Sequence, residues 1–152
     1  MEIVICNWQA QRSSTVCYRV SREGEVLELR IPESGQPMVV ALDNWGPVRL
    51  ARKPNGSLGW LAVRVSDEGT ELRPLRPYRW VRVPYEFCTC RPFKGWVHYE
   101  YYPEAQLEGL RSLLLRLKAE HGAVVVRLMS SIDALRRDPH PQPELRRMLK
   151  GL

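Results

Sequence analysis

The side chains able to do chemistry in this chain are few and widely spaced. Its four cysteines are Cys6, Cys17, Cys88 and Cys90. No two have CxxC spacing, and Cys88-Thr89-Cys90 is tighter than a zinc knuckle uses. Cys6, Cys88, Cys90 and His98 carry the donor atoms of a rearranged metal site, but their spacing matches no known ligand scheme. His140 stands between Pro139 and Pro141 and close to Asp138, so it could join that carboxylate on a metal; a solvated loop histidine is the plainer reading. No serine occupies the strained turn of a Gly-x-Ser-x-Gly motif, so Ser-His-Asp hydrolysis has no support. Aromatic and basic residues are more suggestive. Trp45, Trp80 and Trp96 stand near Arg49, Arg52, Arg79, Arg82 and Arg91. Trp and Arg are the residue types that anchor protein interfaces. Trp45, Arg52, Trp80, Arg82 and Trp96 are therefore the candidate partner-binding residues, the alternative being that the rings pack across a sheet.

At 152 residues the chain has the size of one domain, 1–152, and can bury a real core. A hydrophobic fraction of 44% and a charged fraction of 26% are those of a globular protein. No apolar run reaches the roughly 18 residues of a membrane span. The opening Met1 to Trp8 lacks a basic region and a cleavage site, so a cytoplasmic location, or release by lysis, is expected. In the cytoplasm the cysteines would be free thiols. The formal charge of +6 comes from 19 Arg and 4 Lys against 17 acids. Such a balance favours anionic partners. The basic residues are scattered, with short clusters only at Arg49–Lys53 and Arg136–Arg137, and no nucleic-acid reading motif accompanies them. Nucleic acid and membrane are thus not expected as partners.

The elements that must position these residues follow from hydrophobic periodicity. Ile3-Val4-Ile5 is a continuous apolar run, as in a strand buried on both faces. Val16 to Val20 and Glu25 to Ile31 read as two strands around the turn Ser21 to Gly24. Met38 to Leu42 reads as a strand, Asp43 to Asn55 as irregular, and Leu58 to Val65 as the clearest strand, closed by Asp67-Glu68-Gly69. A further strand is expected at Trp80 to Val83 within a loop-rich stretch. From Pro103 to His121 the period changes: Leu107, Leu110, Leu114 and Leu117 make a helical stripe, with Pro103 in the first turn and Gly122 at the cap. Ala123 to Arg127 reads as a buried strand. Ser130 to Asp133 resembles a capping box, and Pro143 to Leu149 a short terminal helix. This order predicts an α/β (α+β) domain with a mixed central β-sheet flanked by helices.

Taken in order, these segments resemble the zinc-dependent N-acetylmuramoyl-L-alanine amidases, which include phage lysozymes of amidase type and share their fold with peptidoglycan recognition proteins. In that family an apolar first strand ends in a zinc-binding His; here Ile3-Val4-Ile5 ends in Cys6. The family's aromatic strand and Arg-Asp-Gly turn are echoed by Tyr18-Arg19-Val20-Ser21-Arg22-Glu23-Gly24. Its Asn-rich turn and Ser-Ile-Gly strand correspond to Asn55-Gly56-Ser57-Leu58-Gly59. Its long helix, opening Tyr/Phe-Thr-Pro-x-Gln, corresponds to Tyr102-Pro103-Glu104-Ala105-Gln106-Leu107, the most specific stretch. Its closing strand, second zinc His, basic residue and Asp-Pro correspond to Val124 to Arg127, Met129, Arg136 and Asp138-Pro139. Two departures stand out. The segment from Cys6 to Val16 is too short for the helix that lies there in the family, and Gly35 to Pro54 has no counterpart.

The resemblance implies a metal site that has been dismantled. A catalytic zinc needs three protein ligands and an open fourth position to polarise the amide and activate water. The three family positions are filled here by Cys6, Met129 and Asp138, of which the carboxylate is a plausible ligand and Cys6 a possible thiolate. Arg136 takes the place of the basic group that steadies the oxyanion. The acid/base residue has no counterpart near Val16 or Cys17. The expectation is a pseudoenzyme with no cofactor, its groove given over to a macromolecular partner. Some phage lysozymes of this family also restrain an RNA polymerase, so a phage-encoded regulator of a host or phage enzyme is one version. The alternatives are a peptidoglycan-binding pseudoenzyme and an active amidase with an altered zinc site built on Cys6, Asp138 and His140 or another ligand.

Overall fold

The computed structural model describes residues 1–8, 14–44, 48–52, 55–66, 69–74, 101–129, 139 and 143–152. Strand β1, Glu2–Asn7, lies inside a five-stranded sheet. Its apolar run is buried on both faces, as an uninterrupted Ile-Val-Ile requires. Parallel neighbours flank it: β4, Met38–Leu42, on one side, in register Ile3 to Met38 through Asn7 to Leu42, and β8, Val125–Leu128, on the other. Beyond β4 comes β2, Tyr18–Val20, again parallel, and then β3, Val26–Glu28, antiparallel to β2. The sheet order is therefore β3-β2-β4-β1-β8. The fold class is α+β, with a mixed sheet as expected.

Helix α1, Glu104–His121, follows Pro103, whose carbonyl accepts from Leu107 N at 3.1 Å. Pro103 caps the helix from outside rather than sitting in its first turn. The stripe read from the sequence is buried at Leu110, Leu114 and Leu117, joined by Leu113 and Gln106. Helix α2, Pro143–Lys150, adds Leu145. These leucines share one cluster with Ile3, Ile5, Val20, Met38, Val40 and Leu42, so both helices lie on one face of the sheet. The opposite face carries a smaller cluster of Cys6, Val16, Val39 and Ala41.

A second sheet is an antiparallel meander of β5, Val48–Arg52, β6, Leu58–Ser66, and β7, Gly69–Pro74. Two of its strands correct the sequence reading, which made 43–55 irregular and foresaw no strand at 69–74. The alternation Val48-Arg49-Leu50 is a strand signal, but Gly46, Pro47 and Pro54 around it argue for a loop, and pairing with β6 decides the matter. Other boundaries shift too. Strand β3 ends at Glu28 because Leu29 N and Arg30 N both turn to the Cys17 carbonyl, at 2.7 and 3.4 Å. Among the described strands β8 is an edge, with Val125 68% exposed, rather than a buried strand. The expected strand at Trp80 to Val83 and the capping box at Ser130 lie outside the described residues.

Candidate functional site

Strand alternation sends Ile3 and Ile5 toward the helices and Cys6 to the opposite face. Cys6 is fully buried there, against Val16, Val39 and Ala41. Strand β8 runs parallel beside β1, and just past its end Met129 N donates to the Ile5 carbonyl at 2.8 Å. Met129 consequently packs on the Cys6 cluster, together with Trp8. Residues 123 positions apart in sequence thus share one apolar patch because the sheet pairs their strands.

Of the remaining sequence candidates, Arg52 ends β5 opposite Leu58. Asp138, Arg136, His140, Trp45, Trp80, Arg82 and Trp96 lie outside the described residues, as do Cys88, Cys90 and His98. Pro139, next to Asp138, is buried. Among the described residues no three His, Cys, Asp or Glu side chains form a group able to hold a metal ion. Cys6 and Met129 offer one thiol and one thioether inside an aliphatic cluster. A thioether is a ligand for soft ions, so this pair does not fit a catalytic zinc, which takes thiolate, imidazole or carboxylate.

A polar network at the C-terminal ends of the parallel strands escaped the sequence reading. Strand β1 ends in Asn7, 1% exposed, whose Oδ1 accepts from the Tyr102 hydroxyl at 2.9 Å. Gln106, fully buried, donates through Nε2 to the Val20 carbonyl at 3.1 Å and to the Asp43 carbonyl at 2.7 Å. It thereby ties α1 to the ends of both β2 and β4. On the rim, Arg19 Nε pairs with Asp43 Oδ1 at 2.6 Å, and the same guanidinium lies 4.3 Å from the centre of the Trp8 ring. A signal existed for Gln106: it falls four residues before Leu110 on the buried stripe, where a polar side chain must find partners. Tyr102→Phe tests the network. Losing the donor to Asn7 Oδ1 is expected to cost about 1 kcal/mol in urea unfolding, with no change of fold by circular dichroism.

The carboxyl ends of parallel strands are where open sheets place ligands. Here that edge is lined by the Asn7 and Gln106 amides, with the Arg19–Trp8 pair on the rim. In comparisons with known proteins, no family model, no curated protein and no solved structure matches this chain. No helix among the described residues is long and apolar enough to cross a membrane.

Proposed function

We propose that this chain is a non-catalytic protein of amidase-like fold that binds another macromolecule, a protein partner foremost. One observation carries the reading. Cys6 and Met129, at the positions where the resemblance places two zinc-binding histidines, lie side by side in an apolar cluster. Their adjacency supports the alignment, and their chemistry argues against a working metal centre. The mixed sheet with helices on it is in keeping with the same resemblance. Without a metal such a fold is available for another task, since function lives in sites grafted on folds. A phage-encoded regulator of a host or phage enzyme, such as an RNA polymerase, is the specific form proposed.

The test is elemental analysis of freshly purified protein together with turbidity loss of isolated cell walls. Less than stoichiometric zinc and no lysis are expected, with a defined protein complex recovered from host lysate. Stoichiometric zinc accompanied by lysis would make the chain an amidase with ligands other than Cys6 and Met129. Retention on cell-wall sacculi without zinc or lysis would instead identify a peptidoglycan-binding pseudoenzyme.

A further inference from the structure

The two edges of the five-stranded sheet differ. At β8, Arg127 Nε is paired with Glu2 Oε1 of the neighbouring strand at 3.0 Å, and a charged side chain is a usual guard of a sheet edge. The β3 edge carries an apolar row. Val26, Leu27, Leu29 and Ile31 are 38%, 53%, 42% and 80% exposed. Around this row Glu23, Glu25, Glu28 and Glu33 are all exposed, an acidic fringe on a chain of net charge +6. Arg30, the basic residue within the row, is turned away: its guanidinium donates to the Ser14 carbonyl at 3.1 Å and to Gln36 Oε1 at 3.0 Å.

Among the described residues, the backbone of this edge is open. Ser21 N donates to the Glu25 carbonyl and Leu29 N to the Cys17 carbonyl, so residues 25, 27 and 29 turn their peptide groups toward β2. In an antiparallel pair the intervening residues turn theirs outward. The N–H and C=O of Val26 and Glu28 therefore face away from β2, and no described strand lies on that side. A row of peptide groups with no partner strand among the described residues, beside exposed apolar side chains, is a template for another strand.

We propose that the outer edge of β3 docks an extended segment of a partner protein in which apolar and basic residues alternate, adding a sixth strand to the sheet. Side chains alternate along the strand, so the apolar residues of the segment cover Leu27 and Leu29 on one face while its basic residues meet Glu28 on the other. Charge selects this occupant over a second copy of the chain. Pairing two β3 edges about a twofold axis would gather the Glu23, Glu25 and Glu28 of both copies along one seam, and like charges across strands are unfavourable. The inference names the kind of partner for the macromolecule-binding reading and rests on that reading. Its test is independent of zinc content and wall lysis, so the two can fail separately.

The probe is a synthetic peptide of alternating valine and lysine, about eight residues long, a usual strand length. A valine–glutamate peptide of equal length is the control. Amide hydrogen exchange of the full chain is read at Val26 and Glu28. The lysine peptide is expected to slow exchange at both amides, and the glutamate peptide to leave them unchanged. The variant E28K, altered only at an exposed side chain, should bind the lysine peptide about fivefold more weakly, one cross-strand charge pair being reversed. Val26→Pro removes an outward N–H that makes no bond to β2 and should abolish protection at Glu28. Unchanged exchange with both peptides overturns the proposal. So does protection that grows with protein concentration alone, which would assign the edge to a second copy.

Discussion

Gly109→Val is expected to destabilise the protein by roughly 3 kcal/mol, the upper end of overpacking costs, read as a lowered urea midpoint with an unchanged slope. The cause is an approach of backbone to backbone. A Cβ on Gly109 would stand 2.7 Å from Gly24 Cα and 2.8 Å from Gly24 C, and would overlap the Gly24 carbonyl oxygen. In the other direction, a Cβ on Gly24 would strike the Ala105 carbonyl. Neither side can rotate away, because both atoms belong to main chain. Gly24 also holds φ at 88°, a conformation L residues adopt at a cost. Relief would require α1 to lift from the hairpin, yet α1 is committed to the core through Leu110, Leu113, Leu114 and Leu117. Gly109→Ala decides between two effects of opposite sign. Helix propensity alone would stabilise the variant by about 1 kcal/mol, whereas the contact predicts a net loss. A gain in stability would mean that hairpin and helix do not meet this closely.

How much of this architecture could be read from the chain depends on whether the signal is local. Ile3-Val4-Ile5 announces a central strand because only a doubly buried strand can use such a run, and β1 is that strand. The leucine stripe announces α1 for a similar reason. Strands β5 and β7 are decided by their partner β6, since exposed-looking and Pro-flanked segments become strands only once a neighbour supplies the hydrogen bonds. The run Val124-Val125-Val126 shows the converse. Its apolar character fits a buried strand, but Val125 is exposed and, among the described residues, β8 has a neighbour on one side only.

The candidate site divides along the same line. Cys6 and Met129, paired in the sequence only through the resemblance, fall on one apolar cluster because β1 and β8 run side by side. Asn7, Tyr102 and Gln106 were not foreseen as a network. Their partners are main-chain carbonyls and a side chain 95 residues distant, which no local pattern encodes. Polar residues inside an apolar pattern are nevertheless legible as anomalies, and both Gln106 on the stripe of α1 and Asn7 at the end of β1 are of that kind.

Gln106→Glu is expected to cost about 3–5 kcal/mol at neutral pH, the penalty for a buried charge without a partner. The amide nitrogen of Gln106 faces two carbonyl oxygens, so only a donor is tolerated there. A carboxylate would set negative charge against both, in a position with no access to water. Protonation restores one donor, so the folded state would hold a proton that the unfolded chain releases at an ordinary carboxylate pKa. The sign follows from linkage: where the native state binds more protons, stability falls as pH rises. The variant should therefore regain stability as pH is lowered toward about 4, the range of an unfolded glutamate. Gln106→Leu provides the contrast. It leaves the Asp43 carbonyl without this donor, while the Val20 carbonyl still accepts from Asp43 N at 2.9 Å. It also removes an amide oxygen that is buried with no hydrogen-bond partner. The leucine variant should thus lose only about 1–2 kcal/mol, independent of pH. Equal losses for the two variants would show that Gln106 fills space and nothing more. A glutamate penalty that shrinks in acid would show that its two N–H groups are what fasten α1 to the ends of β2 and β4.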